Sequence, residues 1–166
     1  MIAGKPEEAI PIYQELVRAV PNNPELVMNL CIADFKAKRY KDAIEQAEVA
    51  LKLQPDMANA WLFLGISLFD LNEPARAVVP LRRYTSSRRD DAEGHYYLGI
   101  SLLGLENFGD AVRELLEARR IDPRNEEYGY AVPFSSVLLA FGAGEAGGRQ
   151  ELADSLRAHG GRNRSH

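Results

Sequence analysis

The chain of 166 residues has a single cysteine, Cys31. A lone thiol closes no internal disulfide, so nothing demands an oxidising compartment. There is no strong excess of either charge: the formal net charge is −4, which gives no field favouring nucleic acid or an anionic membrane surface. No apolar run approaches the roughly 18 residues of a membrane span. No positively charged start leads into an apolar stretch and a cleavage site. The expectation is a cytoplasmic protein with no membrane and no nucleic-acid partner. Hydrophobic residues make up 46% and charged residues 27%, which excludes global disorder and leaves enough apolar material for a packed fold.

What is present is a period. Pro21, Pro55 and Pro123 fall at multiples of 34 residues, with Arg89 where the missing member belongs. Ala9, Ala43, Ala77 and Ala111 keep the same step, as do Leu30, Leu64 and Leu98, followed by the small residues Cys31, Gly65 and Gly99. Between these markers apolar residues recur at helical spacing. Asn72-Glu73-Pro74 and Glu106-Asn107 interrupt them. Each unit therefore reads as helix, short turn, helix. The spacing predicts first helices at 24–38, 58–71 and 92–105, and second helices at 6–19, 40–53, 73–87 and 108–121. Pro11 and Pro80 lie within second helices, where each removes a backbone hydrogen bond and favours a bend over a break.

This pattern resembles the tetratricopeptide repeat, W-x2-L-G-x2-Y…A-x3-F…P. One unit supplies Trp61, Leu64, Gly65, Leu68, Ala77 and Leu81, with Arg89 for the proline. The next supplies His95, Leu98, Gly99, Leu102, Ala111, Leu115 and Pro123, and the earlier one Val27, Leu30, Cys31, Asp34, Ala43, Ala47 and Pro55. Asp34 stands where the family has an aromatic, so that unit is expected to pack more loosely. The resemblance implies an all-α fold: a right-handed superhelical solenoid of antiparallel helix hairpins, over 1–125, with repeats at 24–57, 58–91 and 92–125. Trp61 and the leucines are expected to fill the space between helices. Residues 126–130 leave the pattern. Pro133 is read as opening a helix through Phe141, and a second helix is expected at 149–158, so that 126–159 would form C-terminal capping helices. Residues 160–166 read as a disordered tail. Ala9 is in register with the second-helix alanines, so the first repeat lacks its first helix. The reading is a piece of a longer array, or a half-repeat completed by another chain, including a homodimer through residues such as Ile10 and Val17.

The resemblance also implies a function. First helices in this family line a concave face where partners bind. Here that stripe is Met28, Ile32 and Phe35, then Leu62, Phe63, Ile66 and Phe69, then Tyr96, Tyr97, Ile100 and Leu103. It is unusually apolar, and residues 58–71 are hydrophobic almost all round, as a helix buried on both sides would be. The expected partner is a protein or peptide with an apolar segment, held in the groove. The alternatives are that superhelical curvature buries the stripe, or that the chain's own C-terminal helices fill it. A subclass of the family clamps a C-terminal carboxylate. Asn29 and Asn59 suit such a clamp, but the required lysines and arginines are missing from the stripe. Arg76, Arg82, Arg83, Arg88 and Arg89 cluster elsewhere and read as a solvated outer face rather than an anion site.

Nothing suggests a reaction centre or a cofactor. Gly142–Gly147 fits G-x-G-x-x-G, but the strands that fingerprint requires have no room before residue 166, so a linker is expected. His95 occupies the slot of Trp61 and reads as core. His159 and His166 lie in or near the tail, Cys31 reads as a buried thiol, and Ser135-Ser136 has no identifiable base. No metal-ligand spacing appears, and an enzyme is not expected.

Overall fold

The computed structural model describes residues 5–129 and 131. Among them run seven helices: α1 (Pro6–Ala19), α2 (Pro24–Lys36), α3 (Tyr40–Leu53), α4 (Ala58–Asp70), α5 (Pro74–Ser87), α6 (Ala92–Gly104) and α7 (Phe108–Ile121). Residues 126–129 are also helical. There is no strand among the described residues. Each helix expected within 5–129 begins and ends within two residues of its expected bounds. α1 and α5 run unbroken through Pro11 and Pro80. The expected linker, the helices at 133–141 and 149–158, and the tail lie outside the described residues.

The helix starts follow local chemistry. Pro6, Pro24 and Pro74 open α1, α2 and α5, where a missing N–H costs nothing. The side chains of Asn23 and Asp91 accept from Leu26 N–H and Gly94 N–H, each at 3.1 Å, and so satisfy orphan donors at the first turns of α2 and α6.

The turns inside the hairpins share one geometry. Lys38, Asn72 and Glu106, spaced by the repeat, all have positive φ, at 59°, 64° and 62°. At each, the next residue's N–H reaches back to a carbonyl five residues earlier: Arg39 to Asp34 at 2.8 Å, Glu73 to Leu68 at 2.9 Å and Asn107 to Leu102 at 3.0 Å. The left-handed residue's own N–H bonds to Phe35, Phe69 and Leu103 at 2.9, 2.8 and 3.0 Å. This is a Schellman ending, normally built on glycine, repeated three times with none.

The small residues do what their spacing implies. A Cβ on Gly65 would stand 2.5 Å from Leu81 Cγ, and one on Gly99 would stand 2.6 Å from Leu115 Cγ. In the α2–α3 hairpin the thiol of Cys31 lies 3.2 Å from the Ala43 carbonyl. There the larger Cys31 is matched by Ala47 at the register position of Leu81 and Leu115. One residue departs from expectation: Trp61 is half-buried rather than core. Its indole N–H donates to the Pro55 carbonyl at 2.9 Å, so the ring closes over the end of the preceding helix instead of filling the hairpin.

The chain divides into two compact units, Met1–Ser87 and Arg88–His166, with the boundary between the second and third full repeats. In the first unit α1 packs on α2, α2 on α3, α3 on α4 and α4 on α5, and α2 also touches α4. In the second unit α6 packs on α7.

Candidate partner-binding face

In the first unit the first helices α2 and α4 carry the predicted stripe. Met28, Phe35, Leu62, Ile66 and Phe69 are buried, while Ile32 and Phe63 are half-buried. The Phe63 ring meets Phe35 edge-on with centroids 5.0 Å apart, and Phe35 in turn lies 5.7 Å from Tyr40. An aromatic seam thus links α2 to α4, with Phe63 as its accessible edge. Asn29 is half-buried and Asn59 exposed. Asn29 shares the register of Phe63, and Ile32 that of Ile66.

In the second unit Tyr96, Tyr97, Ile100 and Leu103 are all buried. Tyr96 meets Tyr97 edge-on and lies tilted against Tyr128, with centroids at 5.4 and 5.0 Å, and its hydroxyl donates to Glu127 at 3.0 Å. These two tyrosines belong to an interior cluster in which the segment after α7 takes part.

The polar side chains that the packing encloses are few. Asp34 is buried, with Oδ1 lacking a hydrogen bond and Arg39 Nε 3.5 Å away. Burial pushes its carboxyl up to about 6, although the Arg39 charge opposes this. Burial, with the Asp34 charge beside it, pushes the Cys31 thiol up to about 12, so Cys31 is a protonated thiol and not a nucleophile. His95 is buried as expected, but its ring is not apolar filling: Nδ1 lies 2.7 Å from Glu114 Oε2 and Nε2 lies 3.2 Å from the Arg89 carbonyl. Among the described residues no cluster of His, Cys, Asp and Glu suits a metal ion. No helix among them is long and apolar enough to cross a membrane. Arg82, Arg83, Arg88 and Arg89 are exposed, and Arg76 pairs with Glu73 at 2.5 Å.

The unpartnered face of α1 was expected, but with Ile10 and Val17 on it. α1 buries Ala9, Ile10 and Tyr13 against Leu30 and Ala33 of α2, with Val17 packed alongside. Its other side leaves Ile12 44%, Leu16 41% and Val20 49% exposed, at a spacing of four. Ile10 and Val17 therefore face inward. The available signal was register: Leu16 aligns with Ala50, Tyr84 and Ala118, all buried in complete hairpins.

Comparison with known proteins agrees with this architecture. The family model described as tetratricopeptide repeat matches residues 1–50 and 34–98. The heat-shock protein cognate co-chaperone sgt12 of Aspergillus fumigatus is 28% identical over 158 residues, covering 93% of this chain and 41% of the relative. The Hsp70-Hsp90 organizing protein of Triticum aestivum is 32% identical over 77 residues, covering 46% of this chain and 13% of the relative. This chain thus spans less than half the length of either relative. Among solved structures, MamA from Desulfovibrio magneticus superposes with a TM-score of 0.78 at 23% identity, covering 98% of this chain and 89% of that one. The first repeat domain of Spaghetti (RPAP3), bound to the HSP90 peptide SRMEEVD, has a TM-score of 0.67 at 17% identity, covering 70% of this chain and 93% of that one. With three hairpins in one register and a family model matching more than half the sequence, the chain belongs to the tetratricopeptide repeat family.

Proposed function

We propose that this chain is a protein-interaction scaffold that holds an apolar segment of a partner against α2 and α4. The observation carrying this reading is the Phe35–Phe63 seam: a half-buried aromatic on α4, packed edge-on to α2, with half-buried Ile32 beside it in the predicted stripe. An amphipathic helix or extended segment gains most by covering such an edge, because the aromatic is already fixed and loses little freedom on binding.

The relatives are named for co-chaperone work, and one structural neighbour holds the acidic peptide SRMEEVD. The stripe here differs in chemistry. Its positions hold Ile32, Phe63 and Ile66, with Asn29 beside them and, on α2 and α4, a lysine only at the end of α2, Lys36. An acidic peptide with a free carboxylate would find apolar side chains where it needs cations. The partner segment is therefore apolar rather than acid-terminated, and no reaction is assigned to the chain.

The test is fluorescence anisotropy with two labelled peptides, SRMEEVD and an amphipathic helix bearing leucines at i, i+3 and i+7. The expected result is binding of the helix alone, lost in Phe63→Asp while circular dichroism stays unchanged. Preference for SRMEEVD, or unfolding of the variant, overturns the assignment of this face.

A second reading, self-association through α1, is favoured by the exposed Ile12–Leu16–Val20 line. Light scattering across a concentration series separates the two. A dimer that Leu16→Asp dissociates supports self-association, and a monomer at every concentration removes it.

A further inference from the structure

Trp61 and His95 occupy the same repeat position, as do Pro55 and Arg89. Trp61 Nε1 bonds to the Pro55 carbonyl at 2.9 Å, and His95 Nε2 contacts the Arg89 carbonyl at 3.2 Å. An indole nitrogen only donates. The matching imidazole contact also ends on a carbonyl oxygen, so Nε2 must carry a proton. The other ring nitrogen, Nδ1, stands 2.7 Å from Glu114 Oε2. A bare Nδ1 would set a lone pair against a carboxylate oxygen at that distance. Both nitrogens therefore donate, and a ring with two N–H groups is a cation.

We infer that His95 is a proton-dependent clasp: only as an imidazolium does it hold the Arg89 carbonyl, ahead of α6, and the Glu114 carboxylate of α7 at once. A neutral ring has one N–H and keeps one of the two bonds. Trp61, with the same main-chain bond and no titrating proton, is the permanent version of this device in the preceding repeat.

The surroundings favour the charged form. Glu114 and Glu117 face the ring from α7, the Arg89 main chain closes the other side, and Asp91 caps the same helix through Gly94 N–H. The Glu114 bond holds the ring's pKa above the ordinary histidine range, against the opposing effect of burial. The carboxylate at 2.7 Å keeps the proton on Nδ1, so the proton lost above that pKa is the one on Nε2, which frees one anchor of the segment 88–91 with its exposed Arg88 and Arg89. The clasp thus opens as pH rises through that raised pKa.

The experiment reads the ring and the segment separately, on the whole chain. Proton NMR titration, with the His95 signal assigned by its absence in His95→Gln, should show His95 titrating above the histidine of a free peptide. Trypsin cleavage after Arg88 and Arg89, normalised to a free peptide of the same sequence, should rise at least about threefold as pH passes through the His95 titration, since cleavage follows the open population. His95→Trp should remove that rise and leave cleavage slow throughout, because it keeps a donor with no proton to lose. Glu114→Gln should shift the rise to lower pH. A His95 that titrates like the histidine of a free peptide, or the same pH-dependent cleavage in His95→Trp, would overturn the inference.

Discussion

At Gly65 a methyl group has nowhere to go, because Leu81 Cγ would stand 2.5 Å from it. That atom is the branch point of a fully buried side chain and not a flexible tip. Gly65→Ala should lower the unfolding free energy by about 1–3 kcal/mol in urea denaturation, and Leu81→Ala in the same chain should recover part of the loss. Asp34 gives a prediction of a different kind. Its carboxyl moves from 3.8 to about 6 on folding, so folding favours the protonated form. The stabilisation this gives is complete below about pH 4 and is lost as pH rises through 6. Denaturation of wild type and Asp34→Asn at pH 4, 5, 6 and 7 should therefore diverge. The variant should become the more stable at pH 7, by on the order of 2 kcal/mol relative to their difference at pH 4.

The helices are held at their ends as much as along their faces. Asn23 supplies a side-chain acceptor to Leu26 N–H, and Asn23→Ala should cost about 1 kcal/mol. The left-handed turn residues point the other way. Lys38 and Glu106 have Cβ atoms in a conformation that suits glycine or asparagine, and Asn72 already obeys that rule. Lys38→Gly should raise stability by about 0.5–1 kcal/mol, measured as a shift in urea midpoint. Trp61 shows how position within an element changes an expectation. A fully buried tryptophan costs roughly 3–5 kcal/mol on truncation, but a half-buried one that mainly covers Pro55 should cost about 1–3 kcal/mol.

Within each unit the described helices pack mainly on their neighbours in the chain, so damage should stay near where it is made. Gly99→Ala places a methyl against Leu115 in the α6–α7 hairpin. Amide hydrogen exchange should show protection falling in α6 and α7, while α2 and α3 keep theirs. Uniform loss across all seven helices would mean that the chain unfolds as one block.

The sequence by itself determined the repeat, because close approach of two helices requires a small side chain at one position per turn of the pattern. Cys31, Gly65 and Gly99 could therefore be read off, along with the break between helices at Asn72-Glu73-Pro74. It did not determine which apolar residues remain reachable. Ile32 and Ile66 are the same residue at the same repeat position, yet one is half-buried and the other buried. Nor did it reveal that Leu16 stays exposed, that Trp61 lies at a hairpin edge, or that His95 finds Glu114 19 residues away. Pattern fixes what a residue is within its own hairpin. Exposure, charge state and partner depend on what the next element lays over it, and only the packed fold decides that.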